Sequence, residues 1–344
     1  MDLWFGGQIS GDGCRAKPEP SPCRPGADLT RRVLSHAPRR RPWPKPDCAS
    51  GFGQLTEGGH NTANWPSTQA SERLRAGPHH WHIQRRGVKG PKVLFLHGTG
   101  ASTHSWAPLM PLLQHDIAAT LVDLPGHGLT KISTGQRSSL TYMAQDLLTL
   151  CQTLQFQPDF IVGHSAGAAL ALEMSKSLPL KGVVGLNPAL SKFPGLAGVM
   201  FPMMAKMMAL NPLTPGYLAG LAKNKSRVRQ ILSGTGSDLA EDQINLYQKL
   251  FRDKAHVKGT ILMMSQWNLD RLLAQLDAVD TPCLLIASTR DRTVPCADVK
   301  ATAERMDNTA YHEINGLGHL AHEENPQKIA GLLSVFFEEK RAAP

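Results

Sequence analysis

The 344-residue chain reads as an α/β protein: a mostly parallel central sheet with helices on both faces and a helical cap. Three observations predict this. Short apolar runs alternate with helix-length amphipathic stretches from about residue 64 onward. Glycine-rich loops follow several of those runs. One stretch, 191–276, breaks the alternation with consecutive helical patterns. Alternation of this kind implies parallel strands joined by helices, and ligands then bind at the carboxyl ends of the strands.

In chain order, a first strand falls at Trp81 to Gln84 and a second at Lys92 to Leu96, with a helix after Trp106. A strand from Ala118 to Val122 runs into Asp123-Leu124-Pro125-Gly126-His127-Gly128, and a helix covers about 139–154. The apolar run Phe160-Ile161-Val162 starts the next strand, followed by a small-residue helix from Ala166 to Met174 and a strand from Gly182 to Leu186. After the insertion come the buried-strand run Pro282 to Ser288, a strand at Tyr311 to Ile314 and an amphipathic helix from Pro326 to about Phe337. Core is therefore expected from 64–190 and 277–344, with the cap at 191–276. Residues 1–63 are dominated by Pro, Gly, Arg and Ser and lack apolar periodicity. Such a segment cannot bury enough surface to offset its ordering entropy, so disorder is expected there.

Composition narrows the function classes. The net charge of +9 is spread along the chain with no basic stripe interleaved with aromatics, which argues against a nucleic-acid partner. Six cysteines without C-x-x-C spacing point to reduced thiols in a cytosol-like compartment. No apolar stretch approaches the roughly 18 to 20 residues of a membrane-spanning helix, which leaves peripheral contact as the form of membrane association. No secretory leader is expected from the first residues.

Gly163-His164-Ser165-Ala166-Gly167 carries the chemistry. G-x-S-x-G directly after a strand is the form of a nucleophile elbow, in which a sharp strand-to-helix turn lifts the serine Oγ clear of the sheet. Flanking glycines tolerate the close approaches of that turn. Upstream, the strand Lys92 to Leu96 runs into His97-Gly98-Thr99-Gly100, placing the Thr99 N–H opposite that of Ala166 as a two-donor oxyanion hole. Such a loop can also cradle phosphate, but this one lacks the Walker-A lysine and the full dinucleotide pattern.

Downstream, Asp291 follows the strand ending at Ser288, where a carboxylate can orient a histidine; pairing with Arg290 or Arg292 is the competing reading. His319, in Gly316-Leu317-Gly318-His319, is the matching general base, since its ordinary pKa lies near neutrality. His322, one turn on, is read as a supporting or surface residue, and Asp123, which precedes the nucleophile, as a residue that fixes its loop. Serine, acid and histidine thus fall in the chain order of the α/β-hydrolases. The cluster His79-His80-Trp81-His82 has no acidic or cysteine partner at ligand spacing and reads as strand, so neither metal nor cofactor is expected. Phe201, Met203, Met204, Met207 and Trp267 are candidate substrate contacts from the cap, because a flexible, polarisable methionine wall can adapt to a bulky apolar ligand. Packing between cap helices is the competing role.

From Asn64 on, the chain resembles the α/β-hydrolase superfamily. Trp65-Pro66, Trp81-His82-Ile83-Gln84, the run His97 to Trp106, Gly163 to Ala169 and Gly318 to Glu324 resemble the BchO-type magnesium-chelatase accessory proteins of bacteriochlorophyll biosynthesis. The resemblance implies a place beside magnesium insertion into protoporphyrin in a photosynthetic bacterium, with magnesium-chelatase subunits as partners. The sequence departs from that pattern at Pro188 and Asn268, where Gly and Asp are expected, and in its long N-terminal extension. Two classes follow: a serine hydrolase acting on an ester or related acyl bond, or a tetrapyrrole-binding or chelatase-assisting protein with an idle triad.

Overall fold

The computed structural model describes residues 65–133, 135–191 and 197–342, with side chains of the segment 197–202 outside the description. The expectation of disorder for 1–63 therefore lies outside the described residues.

Eight strands form one sheet in the order β1-β2-β4-β3-β5-β6-β7-β8. They are β1 (Ser71–Ala76), β2 (His79–Arg86), β3 (Lys92–Leu96), β4 (Ala118–Val122), β5 (Phe160–His164), β6 (Gly182–Leu186), β7 (Cys283–Ser288) and β8 (Thr309–Ile314). From β4 across to β8 every neighbouring pair is parallel, whereas β2 runs antiparallel to both β1 and β4. β5 and β7 are buried along their whole length, the pattern of parallel strands covered on both faces.

Between strands stand α1 (Met110–Leu113), α2 (Leu140–Thr153) and α3 (Ala166–Ser175). The alternation stops after β6, where α4 (Ala197–Leu210), α5 (Thr214–Leu221), α6 (Lys225–Gly234), α7 (Glu241–Arg252), α8 (Lys254–Gln266) and α9 (Asp270–Leu273) follow one another. α10 (Cys296–Ala303), α11 (Ala321–Glu324) and α12 (Pro326–Ala342) complete the chain. The starts of several helices are fixed by side-chain caps. Ser139 accepts from the Tyr142 N–H ahead of α2, and Asp253 accepts from the Ala255 N–H ahead of α8, each worth about 1 kcal/mol.

The main core lies between the sheet and α1 and α12, where Phe95, Trp106, Phe160, Ile286, Leu333 and Phe337 meet. A second cluster joins α6 and α7 to the core loops through Ala101, Leu232, Tyr247 and Leu320, with Trp65 packed against it. β1 was not expected from the sequence. It is an edge strand in which half of the residues, Glu72, Arg73 and Arg75, are charged and exposed, so it offers little apolar alternation to read.

Candidate active site

The β5–α3 turn is tight for reasons that can be read atom by atom. A Cβ at Gly163 would sit 2.4 Å from the Ala168 nitrogen, and one at Gly167 would sit 2.1 Å from the Leu96 carbonyl oxygen. Glycine is the one residue that lets β5, α3 and β3 close to this distance. Between them Ser165 adopts φ 52°, ψ −117°, outside the comfortable regions for a residue with a side chain. That conformation is held by hydrogen bonds on both sides. The Ser165 N–H donates to Leu186 O (3.0 Å), and the N–H groups of Ala168 and Ala189 donate to Ser165 O (3.1 Å each).

The loop after β3 lies against this turn, since a Cβ at Gly98 would come within 3.0 Å of the Ser165 Cβ. Among the described residues, the backbone N–H of neither Thr99 nor Ala166 donates to a protein acceptor. The Thr99 hydroxyl meets Met263 Sδ of α8 at 3.7 Å, so the inserted helices reach this loop.

Asp291 and His319, each at a strand end, are joined by a 2.7 Å hydrogen bond from His319 Nδ1 to Asp291 Oδ2. The other carboxylate oxygen accepts the N–H groups of Thr293 (2.7 Å) and Val294 (2.9 Å), which locks the acid in place. Arg290 instead donates to the carbonyls of Gly316 and Gly236, so the alternative arginine pairing is not made by that residue. With Nδ1 protonated, Nε2 of His319 carries the free lone pair a general base needs. The His319 main chain is pinned as well. His164 Nε2 donates to its carbonyl (2.9 Å), and so does Asn187 Nδ2 (2.8 Å). His164, adjacent to the serine, therefore ties the elbow to the histidine loop, with ring centroids 4.7 Å apart. Ser165 and His319 are 8 % and 7 % exposed, covered but not sealed.

The structure narrows two expectations. Of the two roles open to His322 the surface one falls away: the residue is fully buried, its ring 4.6 Å from both His164 and Trp106, and Nε2 donates to Ser105 Oγ at 2.7 Å. The methionines of α4 do not form a closed pocket wall, because Met203, Met204 and Met207 are 54 %, 51 % and 67 % exposed. The inner face of α4 is taken by Ala205, Met208 and Ala209, and Met263 of α8 reaches the Thr99 loop. Trp267 is half-buried at the end of α8, and the Phe201 side chain lies outside the description.

Asp123 sits below the site as a hub, accepting from the N–H groups of Thr103 and Leu129 and from His82 Nδ1. Burial works against its charge, but His82 and the backbone donors hold its pKa well below the carboxylate range. Sequence reasoning missed the buried polar network around it. Ser105 donates to Glu323 Oε1 (2.5 Å), as does Tyr247 (2.7 Å), and burial still raises the Glu323 carboxyl to about 7. His97, His127 and His256 pack nearby in tilted and edge-to-face contacts with centroids 5.4 to 5.5 Å apart, and burial depresses their pKa values to about 4, 3 and 4. His79, which the sequence left without a partner, pairs with Asp146 at 2.9 Å. Among the described residues, no group of three or more His, Cys, Asp and Glu is arranged to hold a metal ion.

Comparison with known proteins agrees with this architecture. The alpha/beta hydrolase family matches residues 93–332. The chain is 39 % identical over 278 residues to the magnesium-chelatase 30 kDa subunit of Rhodobacter capsulatus, covering 80 % of this chain and 97 % of that protein. It is 24 % identical over 258 residues to pyrrolizixenacetamide deacetylase of Xenorhabdus hominickii, covering 72 % and 91 %. The solved α/β hydrolase fold protein from Burkholderia ambifaria superposes with a TM-score of 0.64 at 19 % identity, covering 77 % of this chain and 97 % of that one. A matching family over most of the sheet and a relative aligned along nearly its full length leave one assignment: the chain belongs to the alpha/beta hydrolase family, and within it to the BchO type.

Proposed function

We propose that the protein is a serine hydrolase acting on an ester or related acyl bond. In this reading Ser165 Oγ attacks the carbonyl while His319 Nε2 takes its proton. Asp291 keeps His319 in the Nδ1–H tautomer and stabilises the imidazolium that forms. The N–H groups of Thr99 and Ala166 receive the oxyanion, a contribution of about 3 to 4 kcal/mol per donor in comparable sites. His319 then returns the proton to the leaving group, and water, activated by the same nitrogen, releases the acyl product.

The observation that carries this reading is the 2.7 Å Asp291–His319 bond, tied through His164 to a serine held at φ 52°. Backbone strain of that kind persists where the surrounding structure enforces it, and a purely structural turn has no need of it. In this account the helices of 191–276 cap a core made of 64–190 and 277–344, and residues 1–63 are dispensable for chemistry.

A second reading is favoured by one finding, the similarity to a magnesium-chelatase subunit. The same fold would then serve magnesium insertion in bacteriochlorophyll biosynthesis, in the cytoplasm, by binding a tetrapyrrole or the chelatase subunits with the triad idle. Met263 and Trp267, rather than the exposed methionines of α4, would be the apolar contacts within reach of such a ligand. Titration of protein fluorescence with protoporphyrin IX, in parallel with turnover of short acyl esters, separates the two. Ester turnover that vanishes in Ser165→Ala supports the hydrolase. Micromolar pigment binding without turnover by the native protein supports the accessory role.

A further inference from the structure

The outer face of α4 has the wrong chemistry for a helix in water. Ala205 is buried, and Met208 and Ala209 pack against the cluster formed by Ala219, Val257 and Ile261. A surface helix would carry polar residues on its other side. Here that side presents Met203, Met204, Met207 and Leu210, the last 83 % exposed. The apolar surface continues past the helix end through Leu213 (77 %) and Tyr217 (67 %) of the following turn and α5.

Charge distribution says what covers this face. No Asp or Glu occurs between Glu173 and Asp238, a stretch that contains the whole of α4, α5 and α6. Lys225 and Arg229 pair with Glu241. Lys206, Lys223, Lys254 and Lys258 are exposed and form no ion pair among the described residues. Two of them are interleaved with the apolar face, since Leu213, Tyr217, Lys254 and Lys258 line one groove between α5 and the start of α8.

We propose that this face, from Met203 to Tyr217 with its rim of lysines, docks the protein on the surface of an anionic lipid bilayer. Large apolar side chains enter the acyl boundary, lysines reach lipid phosphates at its edge, and a tyrosine suits the interface between them. A second copy of the chain fits less well, because a two-fold contact would set the same lysines against one another. An acidic protein partner matches the rim but leaves no reason for four large apolar side chains on one helix flank without acidic neighbours to define register. The proposal does not depend on the hydrolytic reading.

The test is co-sedimentation of the full-length protein with sucrose-loaded vesicles of phosphatidylcholine alone and of phosphatidylcholine with about 30 % phosphatidylglycerol. The native chain is expected to pellet with the anionic vesicles only, and less so as salt is raised. Met207→Glu with Leu210→Glu, and separately Lys254→Glu with Lys258→Glu, should each weaken partitioning about tenfold or more. The milder pair Met204→Gln and Met207→Gln keeps the test open should the first variant fold poorly. Ser165→Ala must pellet like the native chain, which keeps this result distinct from any failure of the hydrolase reading. Native-like pelleting by the folded surface variants would assign binding to another part of the chain, residues 1–63 included, and overturn the proposal. It is overturned equally by a native chain that ignores anionic vesicles, or by a dimer in solution that the Met207→Glu, Leu210→Glu variant abolishes.

Discussion

Acid should destabilise this protein as pH falls from 7 toward 4. His97, His104, His127, His256 and His322 are buried, and burial, the largest cause in each case, lowers their pKa values from 6.5 to between about 3 and about 4. A depressed folded-state pKa means stability that is complete above 6.5 and lost as pH falls toward 4. In that window the unfolded chain binds protons that the folded chain refuses. Between pH 7 and pH 5 each such histidine removes about 2 kcal/mol, so the five together remove about 9 kcal/mol. Glu323 works in the opposite direction. Its folded-state pKa is raised from 4.5 to about 7, so its stabilising proton is retained at pH 5 and lost as pH rises through 7. That offsets about 2 kcal/mol. The net loss of about 7 kcal/mol is comparable with the whole stability of a typical domain, about 5 to 15 kcal/mol. Urea unfolding at pH 7.5, 6 and 5 measures it directly. His127→Gln, which removes one titrating group, should flatten the dependence by about 2 kcal/mol over the same range. A stability that changes by less than about 1 kcal/mol between pH 7 and pH 5 would refute the reasoning.

Further substitutions separate chemistry from architecture. Asp291→Asn presents an amide to His319 Nδ1 and favours the wrong tautomer, so kcat on an acyl ester should fall by roughly 10⁴ with little change in melting temperature. Asp123→Asn instead disturbs a buried hub of three donors and should cost about 3 to 5 kcal/mol of stability while the folded fraction keeps more activity than Asp291→Asn; circular dichroism melts beside steady-state kinetics give the comparison. His322→Ala should likewise retain more activity than His319→Ala in matched kinetics, and equal losses would remove the distinction drawn between them. Gly167→Ala places a methyl group 2.1 Å from the Leu96 carbonyl oxygen. It should therefore destabilise by about 1 to 3 kcal/mol, visible as a melting temperature lower by several degrees.

The elements that the sequence revealed share a physical trait: their signal is local. β4, β5 and β6 begin and end where their apolar runs do, because a buried parallel strand is apolar throughout and stops at a glycine or a polar turn. Gly163 and Gly167 mark close approaches that any larger residue would block, so the elbow is legible in five residues. The strand ends also show where Asp291 and His319 lie, although only the fold brings their side chains to 2.7 Å. The hidden features depend on pairs far apart in the chain. Ser105 meets Glu323 across 218 positions and His79 meets Asp146 across 67, and no periodicity announces either. This is why the sequence left open whether His322 supports the site or lies at the surface. The exposure of the α4 methionines was hidden for a related reason: hydrophobicity tells that a side chain avoids water, but not which surface covers it.

Active-site labelling tests the central claim most directly. The native protein, Ser165→Ala and His319→Ala, each confirmed folded by circular dichroism, are incubated with a fluorophosphonate probe at pH 7.5, above the window in which acid destabilises the fold. The account predicts stoichiometric modification of the native chain at Ser165, mapped by mass spectrometry, and none in Ser165→Ala. In His319→Ala labelling should be slower by several orders of magnitude. Undiminished labelling of folded Ser165→Ala, or a native protein that never reacts, would contradict it.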